Sequence, residues 1–195
     1  MTNRGAEISR RTNETDVTVK LTLDGSGQAT IDTEIGFYDH MLTALALHAG
    51  FDLTITSRGD LDVDDHHTVE DTALAFGAAL REALGERRGI ARFGHAYAPL
   101  DEALARAVVD ISGRPFARVS LGLTRERLGA MACENVGHAL SSMAIAAGLT
   151  LHVDVLTGEN DHHRAEAAFK AVALALRLAV ARTGSTDIPS TKGVL

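Results

Sequence analysis

His66, His67 and Glu70, in DDHHTVED, recur as His162, His163 and Glu166 in NDHHRAEAAF. The offset, 162 − 66, is 96 residues. On a helix the first histidine of each pair shares a face with the glutamate four residues on, while the second is turned about 100° away. An imidazole and a carboxylate on one face make a metal-ligating set, and one ion cannot easily take both neighbouring histidines. The repeat extends upstream: DHMLTALALHAGFDLTI aligns with GHALSSMAIAAGLTLHV, pairing His40 with His138 and Gly50 with Gly148. A single histidine at a helix start is ordinarily a cap or a solvated side chain; six at matched positions, with two matched glutamates, read as ligands. The symmetric arrangement gives the first His and the Glu of each element to one ion and the second His to the other. It predicts one site of His40, His67, His162 and Glu166, and another of His66, Glu70, His138 and His163. Three imidazoles and a carboxylate suit a borderline divalent ion such as Mn, Fe, Co, Ni or Zn.

The other three histidines read as structural: His48 near a helix end, His95 in the loop-like stretch RFGHAY, and His152 on the polar side of a strand. Cys133 is the only cysteine, so no intrachain disulfide forms and a thiolate-rich metal site is excluded. It reads as a small buried residue rather than a nucleophile.

The elements that must position these groups follow from patterning. The chain has 195 residues, 45% hydrophobic and 23% charged, enough to bury a substantial core. With no Trp, that core falls to Ala, Leu, Val and Ile. A net charge of −7 without a Lys/Arg-rich run argues against nucleic acid as a partner. No apolar run approaches a membrane span, and MTNRGAEISRRTNETD lacks the apolar region of a secretion signal, so the expected location is cytoplasmic.

In the first half AEISRRT and DVTVKLTL read as strands, QATIDTEI closes a hairpin, residues 37–49 form a helix stopped by Gly50, FDLTITS is a strand, and VEDTALAFGAALREALG is an amphipathic helix. In the second, LARAVVDISG and FARVSLGL are strands, CENVGHALSSMAIAAG a helix, LTLHVDVLTG a strand and AEAAFKAVALALRLAVARTG a long helix. Each half is roughly strand-strand-helix-strand-helix. The expected fold is α+β, an internally duplicated half-domain with helices layered on β-sheets, in one domain spanning 1–195 with pseudo-repeat halves at about 1–92 and 93–195.

The motifs GFYDHML, DDHHTVEDTALAFG, DEALARAVVDISGRP, GENDHHRAEAAFKA and PSTKG, in this order, resemble the imidazoleglycerol-phosphate dehydratase family, and the likeness runs from RRTNETD to STKGVL. The resemblance implies a manganese-dependent enzyme of histidine biosynthesis with two Mn(II) per active site. It implies homo-oligomers, trimers assembled into a 24-subunit particle with active sites between subunits. It also implies a phosphorylated imidazole substrate, with loss of water converting imidazole glycerol phosphate to imidazole acetol phosphate. Breaking the unactivated C–H bond beside the ring requires the ring to store electrons, and two metals, one on each ring nitrogen, would favour an imidazolate and a diazafulvene-like intermediate. Glu14, in the family's RxTxET pattern, is the first candidate acid or base, and Glu166 the second. For the phosphate the motif positions are Arg92, Arg114, Lys170, Ser190 and Lys192. Lys170 also follows Glu166 by four residues, so a helix ion pair competes as its role.

Two departures stand out: Glu34, where the family often has glycine, and Arg164 with Ala165, in place of an apolar pair. Two other classes fit parts of the pattern. A di-metal hydrolase would need a bridging carboxylate that neither proposed shell leaves over. A structural metal-binding particle would leave Glu14 and the cations without a purpose.

Overall fold

A computed structural model describes residues 4–195; Met1, Thr2 and Asn3, the start of the N-terminal stretch read above, lie outside the described residues. The first half runs β1 (Gly5–Arg11), β2 (Thr15–Thr22), β3 (Ala29–Asp32), α1 (Gly36–Ala49), β4 (Asp52–Gly59) and α2 (His66–Leu84). The second repeats the order with β5 (Phe93–Leu100), β6 (Ala103–Asp110), β7 (Phe116–Ser120), a ribbon of β8 (Arg127–Leu128) and β9 (Met131–Ala132), α3 (Cys133–Ala147), β10 (Thr150–Thr157) and α4 (Asp161–Val180). The duplicated α+β layering expected from the sequence is the observed one, with three sheet strands before the first helix of each half and, in the second, the β8–β9 ribbon as well.

Two local readings are corrected. The stretch around β3 does not close a hairpin on β2: the sheet order is β1-β2-β4-β3, and β3 pairs with β4 in parallel, Ile31 opposite Ile55. Parallel neighbours need a crossover, and α1 supplies it. The second sheet has the same order, β5-β6-β10-β7, with β7 parallel to β10. RFGHAY is likewise not a loop; it opens β5, where Gly94 is buried between exposed Phe93 and His95, an alternation hidden by the absence of a side chain.

Each half lays its two helices on its own sheet, and across the halves α1 packs on α4 and α2 on α3. The Ala-rich faces make this possible. Ala75, Ala79, Ala144, Ala147, Ala168, Ala171 and Ala175 are all buried, allowing backbones to approach where larger residues would hold them apart. Between α2 and α3 a β-carbon on Gly77 would stand 2.3 Å from the Met143 carbonyl oxygen, and between β5 and α4 one on Gly94 would stand 1.9 Å from the Ala175 carbonyl oxygen. Phe51, Phe76, Phe169 and Tyr38 fill the wider gaps, each contributing about 1.5–3 kcal/mol or more by its burial.

Glu34 sits at φ 63°, in the left-handed region, where the glycine expected from the resemblance would sit without strain. Its one ion pair among the described residues is a 3.7 Å contact with Arg58, with both side chains nearly half exposed, and such pairs contribute little. Glu34→Gly is therefore expected to leave stability unchanged or raise it by up to about 1 kcal/mol, whereas Glu34→Val costs about 1 kcal/mol or more. Denaturant midpoints of the two variants measure this; a glycine variant less stable than the valine one would overturn the strain argument.

Candidate metal centre

The aspartate in each DHH sequence is an anchor. Asp65 Oδ2 accepts from the Ala132 N–H at 2.8 Å and the Asn135 amide at 3.0 Å, and Asp161 Oδ2 accepts from the N–H groups of Thr124 at 2.8 Å and Arg125 at 2.7 Å. The residue before each aspartate ties down the helix start: Asp64 Oδ1 accepts from His66 N–H at 2.8 Å, and Asn160, the N-cap of α4, accepts through Oδ1 from His162 N–H at 2.9 Å. Both histidine pairs are thus fixed on the first turn of a helix.

Two clusters result, each built across the halves. In the first, Glu166 Oε2 of α4 lies 3.2 Å from both His162 Nε2 and His40 Nε2, the latter from α1. Phe37 sets its ring edge-on to His162 at 5.3 Å. In the second, Glu70 Oε1 of α2 lies 3.0 Å from His138 Nε2 of α3, and the His138 and His66 rings stack at 4.9 Å. Asn135, its amide nitrogen committed to Asp65, turns its oxygen to His66 Nδ1 at 3.1 Å, leaving His66 Nε2 as the free lone pair. In each cluster the three ligand atoms lie within 4.8 Å of one another. Imidazole nitrogens and a carboxylate oxygen converging in this way fit a divalent transition ion.

Burial pushes the Glu166 carboxyl up, but the Lys170 ammonium, 2.7 Å from Oε1, and His40 outweigh it and bring it down to about 2. A carboxylate held ionised between two imidazoles suits a metal ligand. Lys170 accordingly takes the ion-pair role and belongs to this cluster.

The second histidine of each pair stands elsewhere. His67 is set edge-on to His66, and its Nδ1 faces Asp60 at 3.0 Å; His163 is perpendicular to His162, and its Nδ1 faces Glu102 at 2.7 Å. Asp60 and Glu102 raise the pKa of their respective imidazoles, and Glu102 is itself brought down to about 2, first by His163 and then by backbone N–H groups. A single chain therefore gathers three of the four ligands expected for each ion; His67 and His163 face away from the clusters to which the sequence reading gave them.

Glu14 joins Asp60 and His67 in a third acidic group, along a shallow groove of about 350 Å³ lined by Thr12, Glu14, Arg58 and Asp60. Its turn is rigid. Thr12 Oγ1 accepts the N–H groups of Glu14 and Thr15, and Arg10 Nε at 2.8 Å and the Thr15 hydroxyl both grip the buried carboxylate of Asp71. The RxTxET and VED sequences are thus one structural unit, and the half-exposed Glu14 side chain takes no part in holding it together.

The expected phosphate residues divide. Arg92 is committed to its own chain, with Nε and Nη2 on Asp110 at 2.7 and 3.2 Å and Nη1 on the Pro189 carbonyl at 2.8 Å. Arg114 and Lys192 are exposed, with no ion pair among the described residues. Ser190 Oγ accepts the Lys192 N–H at 3.2 Å, shaping the PSTKG turn. That tail and the Ser112–Arg114 turn adjoin, since a β-carbon on Gly113 would stand 2.9 Å from the Leu195 carbonyl carbon.

Among the remaining residues, Cys133 is buried, which pushes its thiol up and away from nucleophilic use. His48 sits in the last turn of α1, where burial lowers its pKa, and His152 packs on Phe116. Arg164, the unusual residue after the second pair, donates to the carbonyls of Gly158 and Gly122 and so secures the loop that leads into α4. Asp60, Asp71, Glu102 and Asn135 were not singled out by sequence reasoning; Asp71 and Glu102 lie inside its most specific motifs.

A profile of the family described as imidazoleglycerol-phosphate dehydratase matches residues 33–176. The chain is 52% identical to the imidazoleglycerol-phosphate dehydratase of Schizosaccharomyces pombe, over 98% of this chain and 100% of that protein. Two crystal structures share the fold. The imidazoleglycerol-phosphate dehydratase of Staphylococcus aureus has a TM-score of 0.83 at 36% identity, covering 92% of this chain and 99% of that one. The enzyme from Pyrococcus furiosus in complex with (S)-C348 also has a TM-score of 0.83, at 38% identity, covering 96% and 100%.

Proposed function

The chain belongs to the imidazoleglycerol-phosphate dehydratase family, and from that premise we propose that it dehydrates imidazole glycerol phosphate to imidazole acetol phosphate, a step of histidine biosynthesis, in active sites that hold two Mn(II) ions. The observation that carries this reading is the pair of clusters, His40–His162–Glu166 and His66–Glu70–His138, each with imidazole nitrogens converging on a carboxylate oxygen. His67 and His163, facing out of their own clusters, supply the fourth ligands to neighbouring copies in a large homo-oligomer. A divalent ion bound there supplies fixed positive charge beside the imidazole of the substrate and lowers the pKa of the groups it touches.

The residues of the chain do the rest. Glu14 projects from a braced turn into an open groove and exchanges the proton at the carbon next to the ring. Arg114, Ser190 and Lys192 take the phosphate, Arg114 by two parallel hydrogen bonds, while Arg92 holds the PSTKG tail in place through the Pro189 carbonyl. The site is assigned to the cytoplasm; among the described residues no helix is long and apolar enough to cross a membrane.

The test is turnover of imidazole glycerol phosphate by chelator-stripped protein, with and without Mn(II), with particle size followed in the same samples. Dehydration restored by the metal, together with growth from a small oligomer to a large one, is the expected result. Assembly without turnover would overturn the catalytic reading in favour of a structural particle.

A further inference from the structure

Glu102 occupies in the second half the place of Glu14 in the first: each directly precedes the second strand of its half, β2 at Thr15 and β6 at Ala103. The two carboxylates are used differently. Glu102 Oε2 lies 2.7 Å from His163 Nδ1, and its Oε1 accepts the N–H groups of Asn160 at 2.8 Å and Glu159 at 3.1 Å. Glu14 Oε2 is 3.8 Å from His67 Nδ1, beyond hydrogen-bond distance. His67 Nδ1 faces Asp60 instead, with both carboxylate oxygens within 3.2 Å. Asp60 follows β4; the residue that follows β10 is Gly158, and a β-carbon there would meet Arg164 at 2.9 Å and Ala103 at 3.0 Å. The second half therefore has neither a carboxylate nor room for one at that point, and Glu102 is the acceptor left to it.

We propose that Glu102 is a positioning residue for metal binding: by accepting the Nδ1 proton of His163 it fixes the tautomer whose Nε2 carries the lone pair, as Asp60 does for His67. A ligating histidine held by a carboxylate on its other nitrogen is oriented and made more basic. Nε2 of His163, 3.9 Å from the exposed Asp101 carboxylate, is then the donor atom. The division of labour also explains Glu14. With His67 anchored by Asp60, Glu14 is spared that duty and left free for proton transfer. The inference rests on the reading of His163 as a ligand.

Glu102→Gln tests it. If the amide oxygen keeps the two backbone hydrogen bonds, the amide NH2 faces His163 Nδ1, which must then accept, and the ring proton moves to Nε2. In metal-stripped, ring-15N-labelled full-length protein, at a pH above the imidazole range, His163 is expected as the Nδ1–H tautomer in the native chain and as Nε2–H in the variant. A Mn(II) titration should show half of the sites weakened about 10–100-fold in Glu102→Gln and the other half in Asp60→Asn. His163→Ala should abolish the half that Glu102→Gln weakens. Should His163→Ala leave all sites intact, the ligand reading itself fails. Should His163→Ala remove half of them while Glu102→Gln binds as the native chain does, the positioning role fails. If Glu102→Gln does not fold, the native spectrum decides alone, and an Nε2–H tautomer for His163 overturns the proposal.

Discussion

Glu14→Gln is expected to lower turnover of imidazole glycerol phosphate by at least about 10²-fold while leaving bound metal and particle size unchanged. The separation follows from the geometry. Glu14 lies beyond hydrogen-bond distance of His67, and that histidine is held by Asp60, so the substitution removes an ionisable group without disturbing a ligand. The turn itself is braced by Thr12, Thr15, Arg10 and Asp71, none of which needs the Glu14 side chain. Gln is close to isosteric, so the backbone keeps its course and only the capacity to exchange a proton is lost. Single-turnover rates beside metal analysis measure both quantities; near-native turnover would remove Glu14 from the mechanism, and lost metal would make it a ligand instead.

His162→Ala is expected to do the reverse, with metal content and turnover falling together. It deletes one of the two imidazole nitrogens that flank Glu166 Oε2, leaving within the chain His40 and a carboxylate that Lys170 already neutralises in part. An ion stabilising developing charge by several kcal/mol is then bound too weakly to act, and turnover should drop by about 10³-fold or more at limiting Mn(II), with partial recovery at high Mn(II). The matched change in the other cluster, His66→Ala, should behave alike. Turnover lost without any change in metal affinity would take His162 out of the ligand set.

The histidine pairs were legible in the sequence because duplication wrote them twice, and the helices that carry them because Leu and Ala recur at helical spacing; Gly85 marks the end of α2, whereas α4 stops at Val180, short of the glycine that seemed to end it. What each second histidine faces was not legible. Spacing along a helix reports direction, and His67 and His163 do turn away from their neighbours, but Asp60 and Glu102 come from a strand end and a hairpin turn whose approach depends on sheet order. The parallel placement of β3 was missed for the same reason, since a short strand after a turn signal looks like the return arm of a hairpin until the crossover helix is placed. The mutual fit of RxTxET and VED through Asp71 was hidden by a separation of 56 positions between Thr15 and Asp71.

Each cluster draws its His-x-x-x-Glu from one half and its third ligand from the other, through the α1–α4 and α2–α3 contacts. A half-length ancestor could have formed such a centre only by pairing with an identical molecule, and both centres of that pair would have been the same. Any change to one would have been imposed on its twin. Joining two halves in one chain lifts that constraint: each half then carries its own sequence, and Glu14 and Glu102, at matching places, are free to take the different surroundings they have here, one at 3.8 Å from its histidine and the other at 2.7 Å.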